Sequence, residues 1–169
     1  MKKIILAGGC FWGVEAYYKR LKGILSTTVG YTDAEGINPS YEDVCHQSGH
    51  AEAVKVEYDE KLISLEKILE HFFRIVNPTT INKQGNDVGI QYRSGIFLFE
   101  VSDLEKVQNY LDSIKKKYLL PIQTVSKLAS NFYDAENYHQ DYLDKVPGGY
   151  CHINLHLAKN NELKEEYRD

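Results

Sequence analysis

Apolar residues fall along this chain in two rhythms, one of period two and one of period near 3.6, and punctuation by Gly and Pro separates them. Lys2 to Ala7 predicts a short buried strand, broken by Gly8-Gly9. From Cys10 onward, Phe11, Val14, Tyr18 and Leu21 recur at helical spacing until Gly23. Ile24 to Gly30, rich in Thr and Val, predicts a second strand. Tyr31 to Gly49 carries Gly36, Asn38, Pro39 and Gly49, and reads as a long loop with one helical turn around Tyr41 to Cys45. That loop is longer than a connection needs, which hints at function. Ala51 to Tyr58 alternates as a strand with Val54, Val56 and Tyr58 on one face. Ser64 caps a helix whose stripe of Leu65, Ile68, Leu69, Phe72, Phe73 and Val76 ends before Pro78. A Gly/Asn-rich loop over 82–89 leads to a strand at Ile96 to Phe99. Ser102-Asp103-Leu104-Glu105 reads as a capping box opening a helix to about Tyr118. Thr124 to Ala129 predicts one more strand, and Asp134 to Val146 a last helix stopped by Pro147-Gly148-Gly149.

The order βαββαβ is the split βαβ pattern of ferredoxin-like folds. The expectation is therefore an α+β protein. Its ferredoxin-like core sheet carries helices packed on it, with an additional C-terminal strand, helix and extended tail. Residues 1–169 are expected to form a single catalytic domain, with the tail starting at about residue 147.

Composition narrows the function classes. Lys and Arg number 20 against 24 Asp and Glu, a net charge of −4, so no cationic surplus argues for nucleic acid or anionic lipid. No apolar run approaches the length of a membrane span, and the apolar stretch of the N-terminus, Ile4 to Ala7, is too short for a secretory core. A soluble, cytoplasmic protein is expected, acting as a monomer. The 3 cysteines are an odd count without a Cys-x-x-Cys pair, which is a poor disulfide framework. Tyr, at 13 residues, outnumbers Phe at 6 and Trp at 1, and tyrosine lines a pocket with apolar surface while offering a hydroxyl.

Four segments carry candidate chemistry. In Gly8-Gly9-Cys10-Phe11-Trp12-Gly13 a cysteine stands where a strand gives way to a helix. Helix N-terminal amides and dipole would lower its pKa and make it a nucleophile; the alternative is a cysteine simply packed beneath the helix. Phe11 and Trp12 beside it form an apolar cage suited to a methyl or thioether group, or else ordinary core. In Gly49-His50-Ala51-Glu52, strand alternation puts Glu52 on the apolar face, where desolvation raises a carboxyl pKa and keeps a proton for donation. Taken alone, Glu52 also reads as a solvated strand start and His50 as a structural histidine bonded to backbone. In Gln84 to Ser94, Asp87 and Tyr92 offer an anionic acceptor and a hydroxyl on one loop, and Arg93 a salt-bridge partner. Cys151, in the glycine-rich Pro147 to His152 segment, suits a resolving thiol that reaches another cysteine after oxidation, or is an ordinary loop cysteine.

Together these segments resemble peptide methionine sulfoxide reductase of the A type, from about Ile4 to His152. The resemblance implies thiol-dependent reduction of methionine-(S)-sulfoxide in proteins and peptides, without a metal or other cofactor. By it, Cys10 is the nucleophile that attacks the sulfoxide sulfur and becomes a sulfenic acid, and Glu52 protonates the sulfoxide oxygen. Phe11 and Trp12 hold the substrate methyl group. Tyr41 and Tyr92 bind the oxygen, Asp87 acts through water or by ordering the site, and His50 joins the substrate-binding set. Cys151 resolves the sulfenic acid into a Cys10–Cys151 disulfide, reduced by thioredoxin or a similar dithiol. Cys45 is structural by the same resemblance. The stretch His46-Gln47-Ser48 is one residue shorter than the family's usual one, which bears on how Tyr41 sits relative to Glu52. Two rival readings remain: another cysteine-based peroxide or disulfide oxidoreductase, and a ferredoxin-like module holding a metal with Cys45, His46, His50, Cys151 and His152.

Overall fold

The computed structural model describes residues 1–169. Strand β1 (Lys2–Gly8) runs into helix α1 (Phe11–Lys19), which returns to β2 (Ile24–Thr32). The one-turn helix α2 (Tyr41–Cys45) interrupts the following loop, and β3 (Ala51–Tyr58) and α3 (Leu65–Ile75) follow. A two-stranded hairpin comes next, β4 (Lys83–Gln84) with β5 (Asp87–Val88), then β6 (Ser94–Leu98), α4 (Val101–Ile114), β7 (Val125–Leu128), β8 (Phe132–Asp134) and the short α5 (Tyr142–Lys145). The main sheet has the order β7-β6-β1-β3-β2-β8. Its pairs are antiparallel except β6 with β7. The result is a mixed α+β architecture.

Period-two alternation decides which side of the sheet each residue serves. Ile4, Leu6, Val54, Val56, Ile96 and Leu98 face α1 and α3 in the main core with Phe11, Val14, Tyr17, Tyr18, Ile68 and Phe72. Ile5, Ala7, Ala51, Ala53 and Phe97 face the other side, covered by Ala129 and Phe132. Ser64 caps α3, its hydroxyl accepting from the Lys67 amide at 3.1 Å.

Two helix expectations need correction. Helix α4 starts at Val101 after Glu100, with no side-chain cap, so Ser102 lies inside the first turn and the Ser102–Glu105 box does not form. It gives way to a 3-10 turn over Lys115–Lys117 instead of continuing to Tyr118. The segment 134–146 is not one helix. It ends β8, makes a 3-10 turn at Asn137–His139 and reaches α5 only after Asp141, whose φ is 54°. Tertiary bonds replace helical ones here. Gln140 accepts from the Val29 amide and donates to the Val29 carbonyl, each at 2.9 Å, so the chain is tied to β2 instead of to itself.

The C-terminal tail is also pinned. The Lys22 amide donates to the Glu162 carbonyl at 3.0 Å and the Lys164 amide to the Arg20 carbonyl at 2.8 Å. The Glu162 carboxylate receives both Arg74 guanidinium nitrogens, at 2.7 and 2.9 Å, from α3. No helix is long and apolar enough to cross a membrane.

Candidate active site

The candidate site begins where β1 becomes α1. Gly9 has φ +90°, and a Cβ there would sit 2.8 Å from both Gln84 Cβ and His152 Nε2, so only glycine fits the turn. Cys10 follows as the N-cap of α1, 7 % exposed. The helix-start amides are shared out: the Phe11 N–H donates to Glu52 Oε1 at 3.2 Å, and the Trp12 amide faces the sulfur. The thiol pKa is pushed well up, first by burial and then by the nearby Glu52 carboxyl, with the Trp12 amide opposing. This corrects the expectation of a lowered pKa. One amide and a short helix do not outweigh desolvation, and a second amide is already committed to the acid.

Glu52 lies on β3 opposite Tyr31 of β2, on the face of Val54 and Val56, and is 1 % exposed. Its Oε2 is buried without a hydrogen-bond partner. Burial pushes the carboxyl up to about 8, against the Phe11 amide and with help from Asp87. At neutral pH Glu52 is therefore mostly a protonated acid with one buried oxygen left unpartnered.

Around it stand two hydroxyls from distant segments. Tyr41 opens α2, and Tyr92 lies in the 3-10 turn after β5. Both are held protonated by burial first and by Glu52 second. Tyr92 also feels Asp87 and Cys10. Asp87 keeps a buried, unpartnered Oδ2. The fold thus brings Cys10, Tyr41, Glu52, Asp87 and Tyr92 together. The Cys45–Gly49 stretch turns through positive φ at Gln47 (68°) and Gly49 (95°), and Tyr41 lies close enough to Glu52 for that carboxyl to act on its hydroxyl.

The aromatic pair divides its roles. Phe11 is 1 % exposed and packs on Tyr31 and on His139, at centroid distances of 5.7 and 5.2 Å. Trp12 is half-buried; its indole N–H donates to His139 Nδ1 at 3.0 Å, and its ring stacks on Tyr142 at 3.7 Å and 11°. His139 and Tyr142 thus hold the aromatic wall. Glu136 joins them, accepting from the Tyr31 hydroxyl and the Tyr41 amide at 2.8 Å each. Sequence reasoning missed all three because they fall in the stretch read as a helix. The cluster of Glu136, Tyr138, His139 and Tyr142 was the available signal.

His50 is not brought to this group. It is fully buried, with Nδ1 bonded to the Ser48 hydroxyl and Nε2 to the Gly36 carbonyl, both at 2.9 Å. With both ring nitrogens engaged it braces the 36–50 loop. Arg93 braces the same loop, donating to the Gly49 carbonyl at 2.9 Å and pairing with Asp33 at 3.2 Å. Cys45 is exposed and free. Cys151 is half-buried and free, its thiol donating to the Ile153 carbonyl at 3.2 Å. It packs over Gly13, where an added Cβ would meet its sulfur at 3.2 Å, and is close enough for its charge to act on Cys10. The five residues of the metal-holding rival do not converge: Cys45 lies on α2, His50 inside the loop, and His152 bonds the Gly8 carbonyl.

The chain as a whole has known relatives. Residues 2–169 match the family model described as peptide methionine sulfoxide reductase. The chain is 53% identical over 156 residues, 92% of its length and 99% of the relative's, to a peptide methionine sulfoxide reductase MsrA of Clostridium perfringens. It is 51% identical over 95% of its length to the MsrA of Clostridium acetobutylicum, which it covers in full. Among solved structures, the reduced form of Mxr1 from Saccharomyces cerevisiae superposes with a TM-score of 0.84 at 40% identity, covering 94% of this chain and 92% of that one. Mxr1 in complex with Trx2 superposes with a TM-score of 0.58 at 32% identity, covering 83% of this chain and 84% of that one. A thiol facing a protonated carboxyl and two tyrosine hydroxyls, on a chain matched from end to end, places this protein in the peptide methionine sulfoxide reductase family, in its A-type branch.

Proposed function

We propose that the chain reduces methionine-(S)-sulfoxide in peptides and proteins to methionine at Cys10, with Glu52 as the proton donor. The observation that carries this reading is the buried Glu52 carboxyl, pushed up to about 8 and bonded to the Phe11 amide beside the Cys10 thiol. A sulfoxide carries positive charge on sulfur and negative charge on oxygen. Its oxygen takes the Glu52 proton and hydrogen bonds from Tyr41 and Tyr92, while its methyl rests on the Phe11–Trp12 wall. The sulfur then faces Cys10, and its positive end offsets the desolvation that holds the thiol neutral. Cys10 attacks that sulfur, the oxygen passes to Cys10 as a sulfenic acid, and methionine leaves. The proton count closes because the thiol proton replaces the one lent by Glu52. Asp87 orders the site from β5.

Cys151 then attacks the Cys10 sulfenic acid, forming a disulfide and releasing water. A thioredoxin-like dithiol restores both thiols by exchange, a reading supported by the solved complex of the relative Mxr1 with Trx2. We read residues 1–169 as one catalytic domain. The antiparallel order β6-β1-β3-β2, with α1 and α3 on one face, supports a ferredoxin-like core.

The test is turnover of each sulfoxide epimer in a short peptide, first with dithiothreitol and then with thioredoxin. Wild type is expected to use the S epimer with both reductants, and Cys10→Ser neither. Full turnover by Cys10→Ser, or peroxide reduction in place of sulfoxide reduction, overturns the proposal.

A further inference from the structure

His152 directly follows Cys151, and the sulfoxide chemistry makes no use of it. Its Nε2 bonds the Gly8 carbonyl at 3.0 Å, which requires the proton on Nε2 and leaves Nδ1 as a bare acceptor. That Nδ1 is buried and has no partner. An unpaired acceptor inside a protein is costly, so its persistence calls for a reason. The lone pair stands over the first turn of α1. A Cβ built on Gly13 would meet Cys151 Sγ at 3.2 Å and His152 Nδ1 at 3.4 Å, so thiol and acceptor share one neighbourhood above the helix that begins at Cys10. The other edge of the ring lies against Gly9, next to Cys10.

We infer that His152 is the base that takes the proton of the Cys151 thiol as that sulfur closes on oxidised Cys10. The inference rests on reading Cys151 as the resolving thiol. Cys151 needs such help, because burial raises its pKa and its resting partner is only the Ile153 carbonyl. Burial keeps the imidazole neutral, hence able to accept a proton. The titratable groups around it are Asp87 from β5, Cys10 from the β1–α1 turn and Cys151 beside it, with Arg20 acting on Cys151 at longer range and Cys151 in turn acting on Tyr150. The step balances. The S–H proton passes to Nδ1, a sulfur–sulfur bond forms as the Cys10 sulfur–oxygen bond breaks, and the departing hydroxide takes that proton to become water. No outside oxidant enters.

Single-turnover mixing of the reduced full chain with a methionine sulfoxide peptide, without reductant, follows methionine release and loss of free thiols separately. In His152→Gln the amide keeps a donor for the Gly8 carbonyl but supplies no base. Thiol loss there is expected to lag methionine release and to run ~10²-fold slower than in wild type. The Cys10 sulfenic acid should be trappable by dimedone, and thiol loss should climb about tenfold per pH unit as free thiolate becomes the only attacking form. Wild-type thiol loss should be level above the imidazole's own titration. Closure in His152→Gln with the wild-type rate and pH profile overturns the assignment. If that variant does not fold, the wild-type profile decides alone: a level rate supports the base, and a climb of about tenfold per unit up to about pH 9 overturns it. Cys151→Ser, in the same mixing, tests the underlying reading separately. A long-lived sulfenic acid upholds Cys151 as the resolving thiol, and continued pairwise thiol loss overturns that reading and with it this inference.

Discussion

The backbone N–H of Phe11 donates to the Glu52 carboxyl at 3.2 Å, so the first amide of α1 serves the acid and not the cysteine that caps the helix. That single bond reverses the simplest expectation for a thiol at a helix start. It also links the ionisation of the two reacting groups, because an anionic Glu52 opposes a thiolate at Cys10. Replacing Glu52 by Gln keeps an acceptor for Phe11 and removes the charge. We expect sulfoxide turnover to fall by ~10²-fold or more through loss of the proton donor. The same variant should alkylate faster than wild type above about pH 8, where Glu52 is ionised and opposes the Cys10 thiolate. Stopped-flow turnover and iodoacetamide labelling report the two effects.

The pH profile follows with its sign. Glu52 donates only while protonated, and its carboxyl titrates at about 8, so the chemical step should be sustained below that pH and decline above it. Stability carries the same signature. A carboxyl raised from an ordinary 4.5 to about 8 contributes stability that is complete below the unfolded value and is lost as pH rises through the folded one. Urea melts of Glu52→Gln should therefore lose less stability than wild type between about pH 5 and 9.

Cys10→Ser should be inactive with every reductant. Cys151→Ser should retain the first methionine released per chain and fail chiefly with thioredoxin, because only the disulfide is a substrate for dithiol exchange. Equal turnover of Cys151→Ser with thioredoxin and with dithiothreitol would contradict the assigned route.

Trp12 is held on two sides, by a hydrogen bond to His139 and a stack on Tyr142. Trp12→Phe keeps the stack and drops the bond, leaving the His139 ring with two buried, unpaired nitrogens. Substrate binding should weaken with little change in the chemical step. KM is expected to rise ~10-fold while kcat stays within about threefold, read from steady-state kinetics on a peptide sulfoxide.

Glu162 binds the tail to α3 through Arg74 and Lys67, and their charges hold its carboxyl well below the usual carboxylate range. Its contribution is present above the unfolded carboxyl value and is lost as pH falls. Glu162→Ala should cost ~1–3 kcal/mol at neutral pH, because two partly buried cations lose their partner. Chemical denaturation at neutral pH measures it, and the difference from wild type should shrink in acid.

Residue pattern alone was enough for β1, α1, β2, α2, β3, α3 and β6, because their apolar periodicity and the Gly and Pro breaks between them are local, but not for the β4–β5 hairpin, whose residues read as loop. It was equally enough for the adjacency of Cys10, Phe11 and Trp12, which is local. Pattern also singled out Glu52, Asp87 and Tyr92, and the family resemblance gave these residues and Tyr41 their roles; they lie far apart in the chain, and only strand pairing and loop packing bring them together. Three things were decided in three dimensions only. Residues 134–146 abandon helix because Gln140 and Glu136 bond β2 and α2 in place of their own turn. His50 braces the 36–50 loop because that loop claims both its nitrogens. The Cys10 thiol is held neutral because burial and a neighbouring carboxyl outweigh one helix-start amide. Periodicity reports which face a residue belongs to. Ionisation and hydrogen-bond partnership depend on what lies within a few ångströms, and those neighbours come from the whole length of the chain.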